Sequence, residues 1–247
     1  MKKHKYNITY LYNDDIPDEE IIRCIRKGNR RRKLTVIACV FTICAVIIGI
    51  ISAMLYSKYD KKVRNYCELE RSSDKTYYSV VGYGGSDTQL YIPSVYKKRP
   101  IADISDGALR GNNVIERVVI PETVERIGAH AFSDCVSLKG IEIPEKVTRI
   151  ASYTFSNCSM LEEIVFRGEV TDIEEYAFYN CASLVSITLP SSVTSIGTSA
   201  FEGCSRLYIV YEGTEDEWYA IEKAEGWDKG LGFYIVYCDD VMIFVDG

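Results

Sequence analysis

The chain has 247 residues, 47% of them apolar, which is enough for one folded domain with appendages. Its net charge of −6 conceals a split: residues 1–33 carry a net +5, leaving −11 on the remainder. A basic tail beside an acidic body lacks the basic stripe along the fold that a nucleic-acid binder needs, and two histidines supply no Ser/His/Asp or Cys/His constellation.

Residues 1–33 form a basic tail. Within it, Pro17 to Lys27 reads as a short helix with Asp18, Glu19 and Glu20 in its first turn and basic residues in its last, matching the macrodipole. Ile21, Ile22 and Ile25 give it an apolar stripe, which suits a helix on a membrane surface. Leu34 to Tyr56 follows as 23 residues without a charge. As a helix it extends roughly 35 Å, against about 30 Å of bilayer core. The 33-residue polar lead argues for a retained span rather than a cleaved signal peptide. Arg23, Arg26, Lys27, Arg30, Arg31, Arg32 and Lys33 precede the span, and Lys58, Lys61, Lys62, Arg64 and Arg71 follow it. This bias predicts a single-pass protein of the cell membrane with its N-terminus in the cytosol and everything after the span outside. Residues 57–75 are polar and aperiodic and read as a stalk, and residues 76–103 lead into the next region.

From residue 104 to 210 one phrase recurs every 23 residues. Its copies run from Ile127 to Cys135, Ile150 to Cys158, Ile173 to Cys181 and Ile196 to Cys204, with a degenerate copy from Ile104 to Asn112. Phe132, Phe155, Phe178 and Phe201 hold one column, and Cys135, Cys158, Cys181 and Cys204 another. Leu138, Leu161, Leu184 and Leu207 stand three residues after each Cys. Ile120-Pro121, Ile143-Pro144 and Leu189-Pro190 mark a corner, which Phe166-Arg167 replaces in the third full copy. A period of this length denotes stacked coils sharing one elongated core. Each coil is expected to hold a strand, a proline-marked corner, a second short extended piece and one helical or 3₁₀ turn. The fold class expected is α/β: a solenoid of about five coils with caps at both ends, after a single transmembrane helix.

Leu184 to Cys204 matches the pattern Leu-x-x-Ile-x-Ile-Pro-x-x-Val-x-x-Ile-Gly-x-x-Ala-Phe-x-x-Cys almost letter for letter. It thereby resembles the BspA-type leucine-rich repeat family. The resemblance implies that Tyr78 to Tyr83, Ile92 to Tyr96 and Arg99 to Ile101 form an opening hairpin, and that residues 211–247 close the stack. It also implies a surface or secreted bacterial protein concerned with adhesion rather than catalysis. Physics gives the closing segment a matching role, since a terminal coil must cover its core. Thr214-x-x-Glu217 is a capping box, Trp218 and Ile221 share one helix face, and Trp227 supplies a second plug. Phe233 to Tyr237 and Val241 to Val245 read as closing strands.

The cysteine column reads as a structural ladder, because coil-equivalent thiols do not converge on a metal. Cys67 and Cys238 are the remaining candidate pair outside the ladder and the membrane. Gly82 to Gly85 reads as a hairpin turn rather than a phosphate loop, and His130 as one variable position in a column. No metal, cofactor or catalytic group is expected. Binding is left to exposed rows: Val119, Glu142, Val165, Thr188 and Tyr211 on the strand face, then Glu125, Thr148, Thr171 and Thr194, then Arg126, Arg149, Asp172 and Ser195. The function expected is non-catalytic binding of a protein or glycan at the cell surface. The alternative is a membrane-tethered scaffold or regulator of a neighbouring membrane complex.

Overall fold

The computed structural model describes residues 67–231, 233–238 and 241–246. The tail (1–33), the apolar span (34–56) and stalk residues 57–66 lie outside the described residues. Among the described residues no helix is long and apolar enough to cross a membrane.

The chain enters through an antiparallel hairpin, β1 (Cys67–Arg71) against β2 (Tyr78–Tyr83). Its turn lies at residues 72–77, where Asp74 accepts hydrogen bonds from the Ser72 and Thr76 hydroxyls and the Thr76 amide. The last part of the expected stalk is therefore strand and turn, and Gly82 lies within β2 rather than in the turn. The hairpin was misplaced because its turn carries no Asn-Gly or Gly-Gly signal.

β3 (Gln89–Tyr91), β4 (Val95–Tyr96) and β5 (Arg99–Ile104) build the first coil. The following coils each pair a longer strand with a two-residue one: β6 (Arg117–Val119) with β7 (Arg126–Ile127), β8 (Gly140–Ile143) with β9 (Arg149–Ile150), β10 (Glu163–Phe166) with β11 (Asp172–Ile173), and β12 (Ser186–Pro190) with β13 (Ser195–Ile196). The sixth has β14 (Tyr208–Glu212), the short helix α1 (Glu215–Ala220) and β15 (Glu222–Lys223). β16 (Phe233–Cys238) adds a seventh long strand, and β17 (Val241–Asp246) closes antiparallel upon it.

The molecule is thus a solenoid of about seven turns built mostly from strands, where the sequence reading expected an α/β solenoid of about five. The two extra turns escaped the fixed-period reading because each terminal coil carries an insertion. Ile92-Pro93 occupies the Ile-Pro corner of the first coil, but the β4 turn lengthens the spacing to Ile120-Pro121. At the other end α1 is inserted in the same way.

The segment after each short strand is a string of turns rather than a 3₁₀ helix. The amides of Ala131, Ser133 and Cys135 donate back to the carbonyls of Gly128, His130 and Phe132. The alternating amides of His130, Phe132 and Asp134 donate forward to Ser152, Thr154 and Ser156 of the next coil, at 3.1, 2.9 and 2.8 Å. His130 and Asp134 hold positive φ angles of 56° and 62°, which turns alternate N–H groups outward. Every amide from 130 to 135 therefore has a partner, as a buried backbone requires.

The core is one continuous stack. Phe132, Phe155, Phe178 and Phe201 are each at most 1% exposed, with ring centroids 5.4–5.5 Å apart and nearly parallel planes. The long-strand ladder is interrupted once. β3, β6, β8 and β10 form one sheet and β12, β14, β16 and β17 another, although β10 and β12 remain neighbours. The break falls at the coil whose corner reads Phe166-Arg167-Gly168. A Cβ on Gly168 would stand 2.1 Å from the Glu145 carbonyl oxygen, so the chain here draws close to the preceding coil in a way no other residue type permits.

Candidate binding face

Within each of the two sheets successive long strands lie in register, so one outward residue from each forms a row. Tyr91 pairs with Val119, Glu142 with Val165, Thr188 with Val210, and Val210 with Tyr237. Tyr91, Val119 and Tyr237 are 41%, 44% and 36% exposed. Glu142 and Thr188 are also exposed, and Val165 and Val210 half-buried. Tyr208, two residues before Val210 and 39% exposed, meets Tyr237 edge-on at 6.0 Å. The row is thus apolar and aromatic at both ends and charged at its centre, where the Arg167 guanidinium donates to Glu142 Oε2 at 2.6 and 3.0 Å. Beside it, Gly140 leaves a depression of about 210 Å³ lined by Gln89, Arg117, Val119, Glu142, Glu163 and Val165.

Tyr211 does not belong to this row. It is 2% exposed, its ring lies 5.6 Å from that of Trp218, and its hydroxyl donates to the Ser191 carbonyl at 3.2 Å. Burial also raises its pKa. The cause is a one-residue slip. β14 pairs with β12 so that Leu189 faces Tyr211 and Thr188 faces Val210. Leu207 keeps the 23-residue spacing but the strand after it does not, and a shift of one residue turns a side chain from one sheet face to the other. The signal was present in sequence: Leu184-x-x-Ile187-x-Leu189 becomes Leu207-x-Ile209-x-Tyr211.

The two rows beside the short strands are mostly exposed, with Thr171, Asp172 and Ser195 half-buried. Their polar groups are largely engaged with neighbouring coils. The Ser195 hydroxyl donates to Asp172, the Arg149 guanidinium to Glu174, and Lys146 pairs with Glu125. Glu174 feels burial, which raises its pKa, but the Arg149 and Ser152 donors outweigh it and hold it below the ordinary value.

Behind the face, the cysteine column is a hydrogen-bond ladder. The thiols of Cys135, Cys158, Cys181 and Cys204 donate to the carbonyls of Leu109, Phe132, Phe155 and Phe178 at 3.1–3.2 Å. Burial pushes Cys135 up to about 12 and Cys158 and Cys181 well above the ordinary thiol value. In the first copy Asn112 holds the place and accepts from the Val114 and Ile115 amides. Cys67 and Cys238 are both buried, and no disulfide joins them.

Two further ladders were not foreseen. The Asn157 side chain donates to Asp134 and that of Asn180 to Asn157, at 2.8 and 3.1 Å. His130 stacks on Tyr153 and Tyr153 on Tyr176, at 4.7 and 4.8 Å. All six hold positive φ, and their columns end in Gly107, Gly111 and Gly203. At the C-terminal end Trp218 and Trp227 are 3% and 8% exposed, meet at 5.9 Å, and Trp227 lies edge-on to Phe201. The Lys223 ammonium donates to the Trp218 and Ile221 carbonyls beneath that plug and lies 4.5 Å from the Trp218 ring centroid. Among the described residues no three His, Cys, Asp or Glu side chains gather as a metal site.

Comparison with known proteins accords with this geometry. The family model described as BspA type leucine-rich repeat region matches six copies over residues 89–214, just over half of the chain. No curated protein sequence matches. A leucine-rich repeat protein from T. pallidum is 31% identical, with a TM-score of 0.57 over 59% of this chain and 69% of that one. A leucine-rich repeat protein from Bacteroides ovatus is 27% identical, with a TM-score of 0.52 over 60% of this chain and 42% of that one. A leucine-rich cell surface protein from Faecalibacterium prausnitzii, 23% identical, shares the fold with a TM-score of 0.52 over 70% of this chain and 54% of that one. Repeats of this kind are generally non-enzymatic scaffolds for protein binding, and the chain belongs to the BspA-type leucine-rich repeat family.

Proposed function

We propose that this chain is a membrane-anchored, surface-displayed binding protein, without catalysis, that engages a protein partner through the long-strand face. The observation that carries the reading is the outward row Tyr91, Val119, Glu142, Val165, Thr188, Val210 and Tyr237. Seven strands at ~4.8 Å spacing make a face roughly 29 Å long. That length accommodates a standard interface of about 800 Å² per partner. Aromatic groups at its rims and a charge pair at its centre supply contact area and register. The anchor is supported by the uncharged run 34–56, and display outside the cell by the excess of basic residues before it. A protein is preferred over a glycan because the row mixes Val, Thr and Tyr over a long shallow face.

The test is site-specific photo-crosslinking on intact cells with the full chain. A crosslinker in place of Thr188 is expected to give a discrete protein adduct that Val119→Glu with Val165→Glu abolishes. The same crosslinker at Glu202, off this face, is expected to give none. Equal labelling at both sites, or an adduct indifferent to the double substitution, would remove the face from consideration.

A further inference from the structure

Two turns at the N-terminal end of the solenoid leave the same edge of the sheet. β2 and β5 run parallel with Tyr78 opposite Ile101, and Lys75 and Lys98 each stand three residues ahead of that pair. Tyr78 packs edge-on against Tyr96 at 4.9 Å and ties the turns together. This rim carries Arg71, Lys75, Lys97, Lys98 and Arg99, all exposed except the half-buried Arg99. Its carboxylates are Glu70 and Asp74, and Asp74 is occupied by Ser72 and Thr76.

The contrast with the coils is in charge pairing. Arg110, Arg126, Lys139, Lys146, Arg149 and Arg167 each hold a carboxylate on a neighbouring coil. Among the described residues, Lys75, Lys97, Lys98 and Arg99 form no ion pair. Lys97 instead holds its ammonium 5.2 Å from the Tyr96 ring centroid. The backbone sharpens the contrast. Lys97 and Lys98 are the two central residues of a hairpin turn, both at positive φ, 46° and 64°, and Lys75 sits at 64°. A two-residue turn of that kind selects Asn-Gly. Two lysines there put charge where the backbone disfavours any ordinary side chain, and strain of that sort points from the outlier towards a function.

Chain length identifies the surface these cations can reach. Ten residues, 57–66, separate the uncharged run from β1, with Lys58, Lys61, Lys62 and Arg64 against Asp60. Fully extended they reach at most about 35 Å.

We propose that this lysine-bearing rim docks on the anionic headgroups of the membrane that anchors the chain, and so sets the direction in which the solenoid presents its binding face. The proposal rests on the reading of 34–56 as a membrane span. Each cation near a charged bilayer strengthens attachment about fivefold. The attraction fades beyond about 10 Å at 0.1 M salt.

The full chain, reconstituted into phosphatidylcholine vesicles with and without phosphatidylglycerol, tests it by hydrogen exchange at residues 72–77 and 95–99. Exchange at both turns is expected to slow several-fold in the anionic vesicles and to recover in high salt. Lys97→Asn with Lys98→Gly suits the turn and removes the charge, so it is expected to raise the melting temperature while abolishing the lipid effect. Equal exchange in both vesicle types, with the protein retained after an alkaline wash, overturns the rim alone. A lipid effect that survives the double substitution does the same. Stripping of the protein by alkali sinks the anchor reading and the rim proposal with it. Slowing by polyglutamate on phosphatidylcholine vesicles, with none from phosphatidylglycerol, reassigns the rim to an acidic protein partner.

Discussion

From Ile127 to Cys204, and again beyond Leu207, the chain builds coils on the same columns, yet only the first stretch keeps a constant spacing. In the first, Phe stacks on Phe, each thiol reaches the preceding coil's carbonyl, and Asn157 bridges Asp134 and Asn180. In the second, the strand slips by one residue, a helix is inserted, and two tryptophans and a tyrosine take over from the phenylalanine stack. Coil identity therefore rests on backbone register, and sequence spacing is a proxy for it only while nothing is inserted or deleted.

The sharpest way to break this comparison is to exchange charge across the slip. Tyr211→Glu buries a carboxylate against Trp218 and is expected to cost about 4–5 kcal/mol. Val210→Glu, on the outward row, is expected to stay within about 0.5 kcal/mol. Urea titration of the two variants decides between register and spacing, because constant spacing demands the reverse order. Phe178→Ala comes next. It opens a gap between Phe155 and Phe201 and should cost about 3–5 kcal/mol. Hydrogen exchange is expected to show the loss spreading to the coils on both sides, since each stabilises its neighbours.

A gentler substitution sharpens the contrast from the cap. The Thr214 hydroxyl accepts from the Glu217 amide while the Glu217 carboxylate accepts from the Thr214 amide. Thr214→Ala should cost about 1 kcal/mol. The exchange it raises is expected at α1 and the Trp218 plug, with the Phe155 to Phe178 region unchanged.

Acid provides the smallest test. The Asn157 amide holds Asp134 low, the Thr171 and Ser195 hydroxyls hold Asp172 low, and Arg149 with Ser152 overcomes burial at Glu174. A carboxyl whose folded pKa lies below its unfolded value contributes stability above the unfolded value. That stability is lost as pH falls through the folded one. The coils should therefore begin to weaken below about pH 4.5, the ordinary Glu value. Glu174→Gln should flatten that part of the pH profile, as read from melting temperatures.

Much of this was legible in sequence because a solenoid repeats its constraints. The Phe and Cys columns are periodic, and their burial follows from stacking. What escaped had specific physical causes. The first coil hid behind the β4 turn, although Ile92-Pro93 carries the corner signature. Tyr211 was misassigned because one residue is missing after Leu207. The stack of His130, Tyr153 and Tyr176 looked like a variable column because its members share a backbone angle and a flat ring rather than a residue type. The rim lysines stand out only against the ion pairs between coils, which depend on three-dimensional contacts that sequence spacing does not encode.

We propose that the coils are displayed outside the cell on an N-terminal anchor. Protease treatment of intact cells expressing a C-terminally tagged chain, with lysed cells as control, tests it most directly. Loss of the tag on intact cells is expected. Protection until lysis would place the repeats inside and contradict it.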